Sequence, residues 1–207
     1  MNKPLLISAL LLAASLAQAV TLPQALAAYD EGDLKLAAKG FAESAKRGEA
    51  LGQFNLAMMN LRRELPGASD ATAWQWLQRA AAQQHALAEN ALGEMIEQGR
   101  RGKPNPKAAC DWFERAAEHG NGDGALAIAT CHYLGRGRPQ DMAAAHRWYL
   151  EAANSGDVGA QYLVASMFET GLGVEADQRL ARYWYEVAAK NGDVAAQGKL
   201  KAMDEST

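Results

Sequence analysis

Tryptophan recurs in this chain at a fixed interval. Trp76, Trp112, Trp148 and Trp184 stand 36 residues apart, and a bulky residue follows each one: Leu77, Phe113, Tyr149 and Tyr185. An Ala-Ala pair comes next at a constant offset, as Ala80-Ala81, Ala116-Ala117, Ala152-Ala153 and Ala188-Ala189. A shorter version, FAESAKRGEA, starts at Phe41. A period of this length marks a stacked repeat, in which one unit cannot bury its apolar face alone and needs the next.

Each period divides into two helical halves. In QDMAAAHRWYLEAANSG, the residues Ala145, Trp148, Tyr149, Ala152 and Ala153 fall at i, i+3, i+4 spacing. Gly156 suits the left-handed residue that ends such a helix, and Asp157 suits the cap of the next. That next helix carries AQYLVASMF, AENALGEMI or GQFNLAMMN, and the Gly-containing turns ETGLGVEAD, LGRGRPQD and EQGRRGKPN return the chain. The expected fold is all-α, a right-handed α-solenoid of stacked antiparallel helical hairpins. Its expected units are a half repeat at 23–48, repeats at about 49–83, 84–120, 121–155 and 156–191, and a capping helix at 193–203. Small residues let the helices approach and the Trp-Tyr pairs fill the space beside them, which makes Trp148 an expected core residue.

The first 19 residues stand outside this pattern. Lys3 is followed by an apolar run, Leu5 to Ala17, too short to span a bilayer, and Ala17-Gln18-Ala19 has small residues at the −3 and −1 positions of a secretory cleavage site. Residues 1–19 are therefore expected to be a signal peptide, with the mature chain starting at Val20 in the periplasm or outside the cell; the alternative is an uncleaved membrane anchor. No later segment is apolar enough to cross a membrane. The mature chain keeps 20 basic against 24 acidic residues, a net charge of −4, which argues against a nucleic-acid partner.

Export bears on the two cysteines. Cys110 and Cys131 lie 11 residues before and 10 after Asn121, the centre of the turn EHGNGDGA between two antiparallel helices. Nearly equal offsets put them at one height on adjacent helices, and an oxidising compartment favours a disulfide. The alternatives are a pair of reduced core thiols, or a metal site with His119 and His132, for which the usual Cys-x-x-Cys spacing is missing. The sequence holds no Gly-x-Ser-x-Gly, no Walker loop and no His-Glu-x-x-His, and its four histidines, His85, His119, His132 and His146, are scattered. No enzyme activity and no cofactor or metal are expected.

The repeat resembles the Sel1-like repeat (SLR), a relative of the tetratricopeptide repeat. The fourth copy carries the resemblance best, through Ala160, Ala165, Phe168, Gly171, Gly173, Val174, Asp177, Ala181, Trp184, Tyr185, Ala188, Ala189 and Gly192. The third keeps Tyr133, Gly135, Gly137 and Asp141 with one residue missing in its turn, and the second keeps Leu92-Gly93, Gly99 and Gly102 with one extra. The first is degenerate, with Asn60 at the aromatic position and LRRELPGASD in place of the Gly-x-Gly turn. The resemblance implies a scaffold for protein contact. It also brings a minor alternative, since some cysteine-rich SLR proteins have been linked to β-lactam binding or hydrolysis.

If the hairpins stack as in related repeats, the first helix of each lines a groove. The groove positions are then Phe54, Met58 and Leu61 in repeat one, Asn90, Glu94 and Glu97 in repeat two, and Tyr162, Ser166 and Glu169 in repeat four. This mixture of apolar and acidic residues suits a bound peptide. The hairpin turns form a second candidate surface, a basic edge of Arg62, Arg63, Arg100, Arg101, Lys103, Arg136 and Arg138 that would suit an acidic partner or an anionic envelope polymer such as peptidoglycan. The function expected from the whole is an exported, non-enzymatic adaptor that binds another protein.

Overall fold

The structure, a computed structural model, describes residues 20–205, so the expected signal peptide at 1–19 lies outside the described residues. Every regular element among them is helical: α1 (Leu22–Asp30), α2 (Leu34–Lys46), α3 (Ala50–Leu61), α4 (Asp70–Ala81), α5 (Ala86–Glu97), α6 (Pro106–Glu118), α7 (Gly122–Leu134), α8 (Met142–Asn154), α9 (Val158–Thr170), α10 (Gln178–Lys190) and α11 (Val194–Glu205). Each helix packs on its neighbours in sequence, and α5 also touches α7. The result is an α-solenoid of hairpins, in which α1–α2 is a short N-terminal unit, α3–α4 to α9–α10 are four repeats, and α11 closes the end.

The period governs the helix ends. Ser69, Asn105, Asp141 and Asp177 lie 36 residues apart, and each side chain accepts a hydrogen bond from the first free N–H groups of the second helix of its hairpin. First helices are capped in the same way by Asn121, Asp157 and Asp193. The turn inside each hairpin is closed by a residue in the left-handed region, Gly99, Gly135 or Gly171, with Arg63 in repeat one. Gly173 has a second constraint. A Cβ there would run into the Met142 carbonyl of the preceding repeat, so the turn touches its neighbour through bare backbone.

The core repeats with the same interval. Ala37, Ala73, Ala109, Ala145 and Ala181 are all essentially inaccessible, as are Leu92, Ile128 and Val164 on the first helices. Close approach needs small residues, and a Cβ on Gly124 would fall 2.7 Å from that of Ala116. The structure corrects the expectation for Trp148. The inaccessible residue of each aromatic pair is the second, Phe113, Tyr149 or Tyr185, and Leu77 fills that place in repeat one. Trp76, Trp112 and Trp148 are half-buried. Successive residues on a helix point about 100° apart, so in repeats one to three one side chain of the pair enters the core and the other lies along its edge, while in repeat four Trp184 is buried beside Tyr185. At that edge the Arg79 and Arg115 guanidinium groups sit 4.5 and 4.8 Å from the Trp76 and Trp112 ring centres.

Cys110 on α6 and Cys131 on α7 form a disulfide with their Cα atoms 6.3 Å apart. Cys131 takes the position that Met59, Met95 and Met167 fill elsewhere in the repeat, and all four are buried. The bridge therefore replaces a packing contact between repeats two and three with a covalent one. Among the described residues, no helix is long and apolar enough to cross a membrane.

Candidate functional site

The first helices carry the candidate groove, and the nine positions expected there meet three different fates. In repeat one, Phe54, Met58 and Leu61 are half-buried, and the Phe54 ring stacks on His85 at 5.0 Å between centres. These three leave an apolar surface. In repeat four, Tyr162 and Ser166 are half-buried, and Tyr162 meets Tyr185 edge-on at 5.4 Å. Glu169 is already engaged. It accepts a hydrogen bond from the Tyr185 hydroxyl at 2.6 Å and from Lys199 Nζ of α11 at 2.8 Å. Lys199 and then Tyr185 hold its carboxyl below the usual range, while burial and Glu169 raise the Tyr185 phenol.

Repeat two differs again. Asn90 is buried and donates through Nδ2 to Glu94 Oε1 at 2.8 Å. Much of Glu94 is exposed, but its carboxyl is crowded enough that desolvation, with help from Asp123 and Glu97, raises its pKa against the Asn90 hydrogen bond. Glu97 is half-buried and pairs with Arg136 at 3.3 Å.

The structure adds residues the sequence reading passed over. Leu126, Thr130 and Tyr133 occupy the same three positions in repeat three and are also half-buried. Their offsets from Ile128, two before, two after and five after, are the same as those of the groove positions from Leu56, Leu92 and Val164 in the other repeats. Leu126 and Thr130 help to line a cavity of about 250 Å³ between α5 and α7, together with Glu97, Phe113, Asp123, Ala127, Cys131 and Arg136.

The basic turns are largely occupied. Arg63 and Arg100 both pair with Asp70, at 2.8 and 2.7 Å, so one carboxylate ties two successive turns together. Arg138 reaches Asp111 and Glu114 on α6, and Arg62 donates to the Tyr29 hydroxyl of α1. With Arg136 on Glu97, most of these cations act as staples between repeats. Arg101 and Lys103 are exposed and unpaired among the described residues. The histidines are scattered here too. His119 bonds to the buried Glu89 at 2.6 Å, and burial lowers the pKa of His85, His132 and His146. Among the described residues, no three His, Cys, Asp or Glu side chains come close enough together to hold a metal ion.

The Sel1 repeat model matches four consecutive segments, residues 50–85, 86–121, 123–157 and 158–193. The chain belongs to the Sel1-repeat family. Solved structures agree with this assignment. A Sel1 repeat protein from Oxalobacter formigenes is 31% identical, with a TM-score of 0.75 over 86% of this chain and 74% of that one. The protective antigen c5321 of uropathogenic Escherichia coli, an SLR fold, is 28% identical, with a TM-score of 0.79 over 88% of this chain and 40% of the antigen. Comparison with curated proteins gave no match. Sel1 repeats typically act as scaffolds for protein–protein interaction and are generally non-enzymatic.

Proposed function

We propose that this Sel1-repeat protein is an exported scaffold of the bacterial cell envelope, and that its first-helix face holds a segment of a partner protein. The observation that carries this reading is the set of half-buried side chains repeated along that face. Phe54, Met58 and Leu61 are followed by Leu126, Thr130 and Tyr133 and then by Tyr162, on helices whose other faces are packed. A rigid row of partly exposed apolar and aromatic groups supplies contact area at little entropic cost, because the stack has already ordered them. The leader-like residues 1–19 and the Cys110–Cys131 bridge support export.

Two measurements test it. A photoreactive residue at position 54 or 162, in protein produced in its own host, should crosslink to a discrete partner, whereas one at the exposed position 147 on α8 should not. Equal labelling from both faces would overturn the groove. The secreted polypeptide should begin at Val20, and recovery of the intact leader in the cytoplasm would overturn the export reading.

A further inference from the structure

The period makes one junction a template for another. At the C-terminal end, Glu169 of α9, Tyr185 of α10 and Lys199 of α11 form a closed group. The lysine head lies on the carboxylate at 2.8 Å and its nitrogen is 5.9 Å from the centre of the Tyr185 ring. Two repeats earlier, 72 residues back in each case, stand Glu97, Phe113 and Ala127. The acid and the aromatic ring are kept, and the lysine is replaced by alanine. All three line the cavity of about 250 Å³ between α5 and α7. The space that Lys199 fills at one junction is thus open at the other.

The surroundings favour the same kind of occupant. Asp123, at the start of α7, also lines the cavity, and Glu94 stands one turn before Glu97 on α5, near enough that Asp123 and Glu97 act on its carboxyl. The one cation in the lining is Arg136, which pairs with Glu97 from an exposed position. Behind Glu94, Asn90 is only 7% exposed, and its Oδ1 accepts no hydrogen bond. The lining thus sets the carboxylates of Glu97 and Asp123, with Glu94 close to both, against one cation, beside the apolar surface of Phe113, Leu126 and Ala127. An amphipathic cation fits such a site, since its methylenes cover the apolar surface while the head stays among the carboxylates. The other junctions lack this combination. In repeat one the groove positions are Phe54, Met58 and Leu61, and in repeat four the acid is already neutralised.

We infer that this cavity receives a lysine side chain from the partner segment, with its stem against Phe113 and Leu126 and its ammonium group among Glu94, Glu97 and Asp123. The inference rests on the groove reading above and specifies its partner chemistry. The test uses the full mature chain and three acetylated, amidated pentapeptides, Ala-Ala-X-Ala-Ala, with lysine, norleucine or glutamate at X, titrated while the Phe113, Leu126 and Thr130 resonances are followed by NMR. The lysine peptide should bind saturably and at least tenfold more tightly than the other two. Its affinity should fall at least tenfold in a Glu94→Gln, Glu97→Gln double variant. Ala127→Lys, which copies the C-terminal junction, should abolish binding while the protein remains folded. If norleucine binds as well as lysine, the charge inference fails and the groove survives. If Ala127→Lys binds the lysine peptide normally, the cavity is not the site. If no peptide shifts these resonances, both readings fall.

Discussion

Repeats one and four form the same helical hairpin but build its caps and turns through different chemistry. Repeat four uses residues suited to each special position. Asp157 and Asp177 cap its helices, and Gly171 and Gly192 take left-handed conformations at the ends of α9 and α10. Repeat one has Arg63 and Gln84 at the corresponding left-handed positions, with φ of +61° at both, the only such non-glycine residues described. Its first helix begins at Glu49 without a side-chain cap. A side chain in that region costs about 1–2 kcal/mol, and packing from the flanking hairpins outweighs this. In a stacked array the neighbours impose geometry on a unit whose own sequence would not select it, so degeneracy is tolerated where both sides are covered.

The largest expected effect tests whether the two repeats are equally anchored. Tyr185 and Leu77 hold the same fully buried position. Tyr185→Ala should cost about 3–5 kcal/mol and Leu77→Ala about 2–5 kcal/mol in chemical denaturation. Trp148→Ala, at a half-buried edge, should cost clearly less than Tyr185→Ala, and an equal loss would restore the tryptophan to the core. Next comes the bridge between the two halves of the stack. Cys110→Ala with Cys131→Ala should lower stability by about 3 kcal/mol, the value for releasing a loop of this length. A change below about 1 kcal/mol would show that packing alone holds repeats two and three together.

Glycine turns sharpen the comparison. Gly173→Ala meets both a left-handed φ of +74° and the Met142 carbonyl, whereas Gly67→Ala, at +71° in the turn of repeat one, meets open space. The first should cost more than about 2 kcal/mol and the second about 1 kcal/mol. Equal thermal shifts would mean that the repeat-four turn does not bear on its neighbour. The smallest effects are gains. Gln84→Gly should stabilise by about 0.5–1 kcal/mol, since it removes strain at an exposed position. Arg63→Gly should gain less, because Arg63 also bonds to the Ala68 carbonyl and to Asp70. A destabilised Gln84→Gly protein would mean that the glutamine contributes more than its backbone costs.

The sequence by itself determined the interval, the hairpins and the common height of the two cysteines, while the structure decided that they face each other and bond. All three follow from spacing along a regular helix, where position in the chain converts directly to height and direction. The Ala-Ala pairs, the caps at Asp141 and Asp177 and the offsets of Cys110 and Cys131 about Asn121 could be read from local rules. Only the tertiary structure decided how each surface group is used. Tyr149 rather than Trp148 enters the core because helix rotation selects one of two adjacent rings. Arg100 and Arg138 staple repeats because the stack brings acids from a neighbouring unit within reach. Glu169 is neutralised and Glu97 opens on a cavity because of whether the residue 30 positions later is Lys199 or Ala127. These choices depend on which residues meet across units, and a contact between repeats leaves no mark within either one alone.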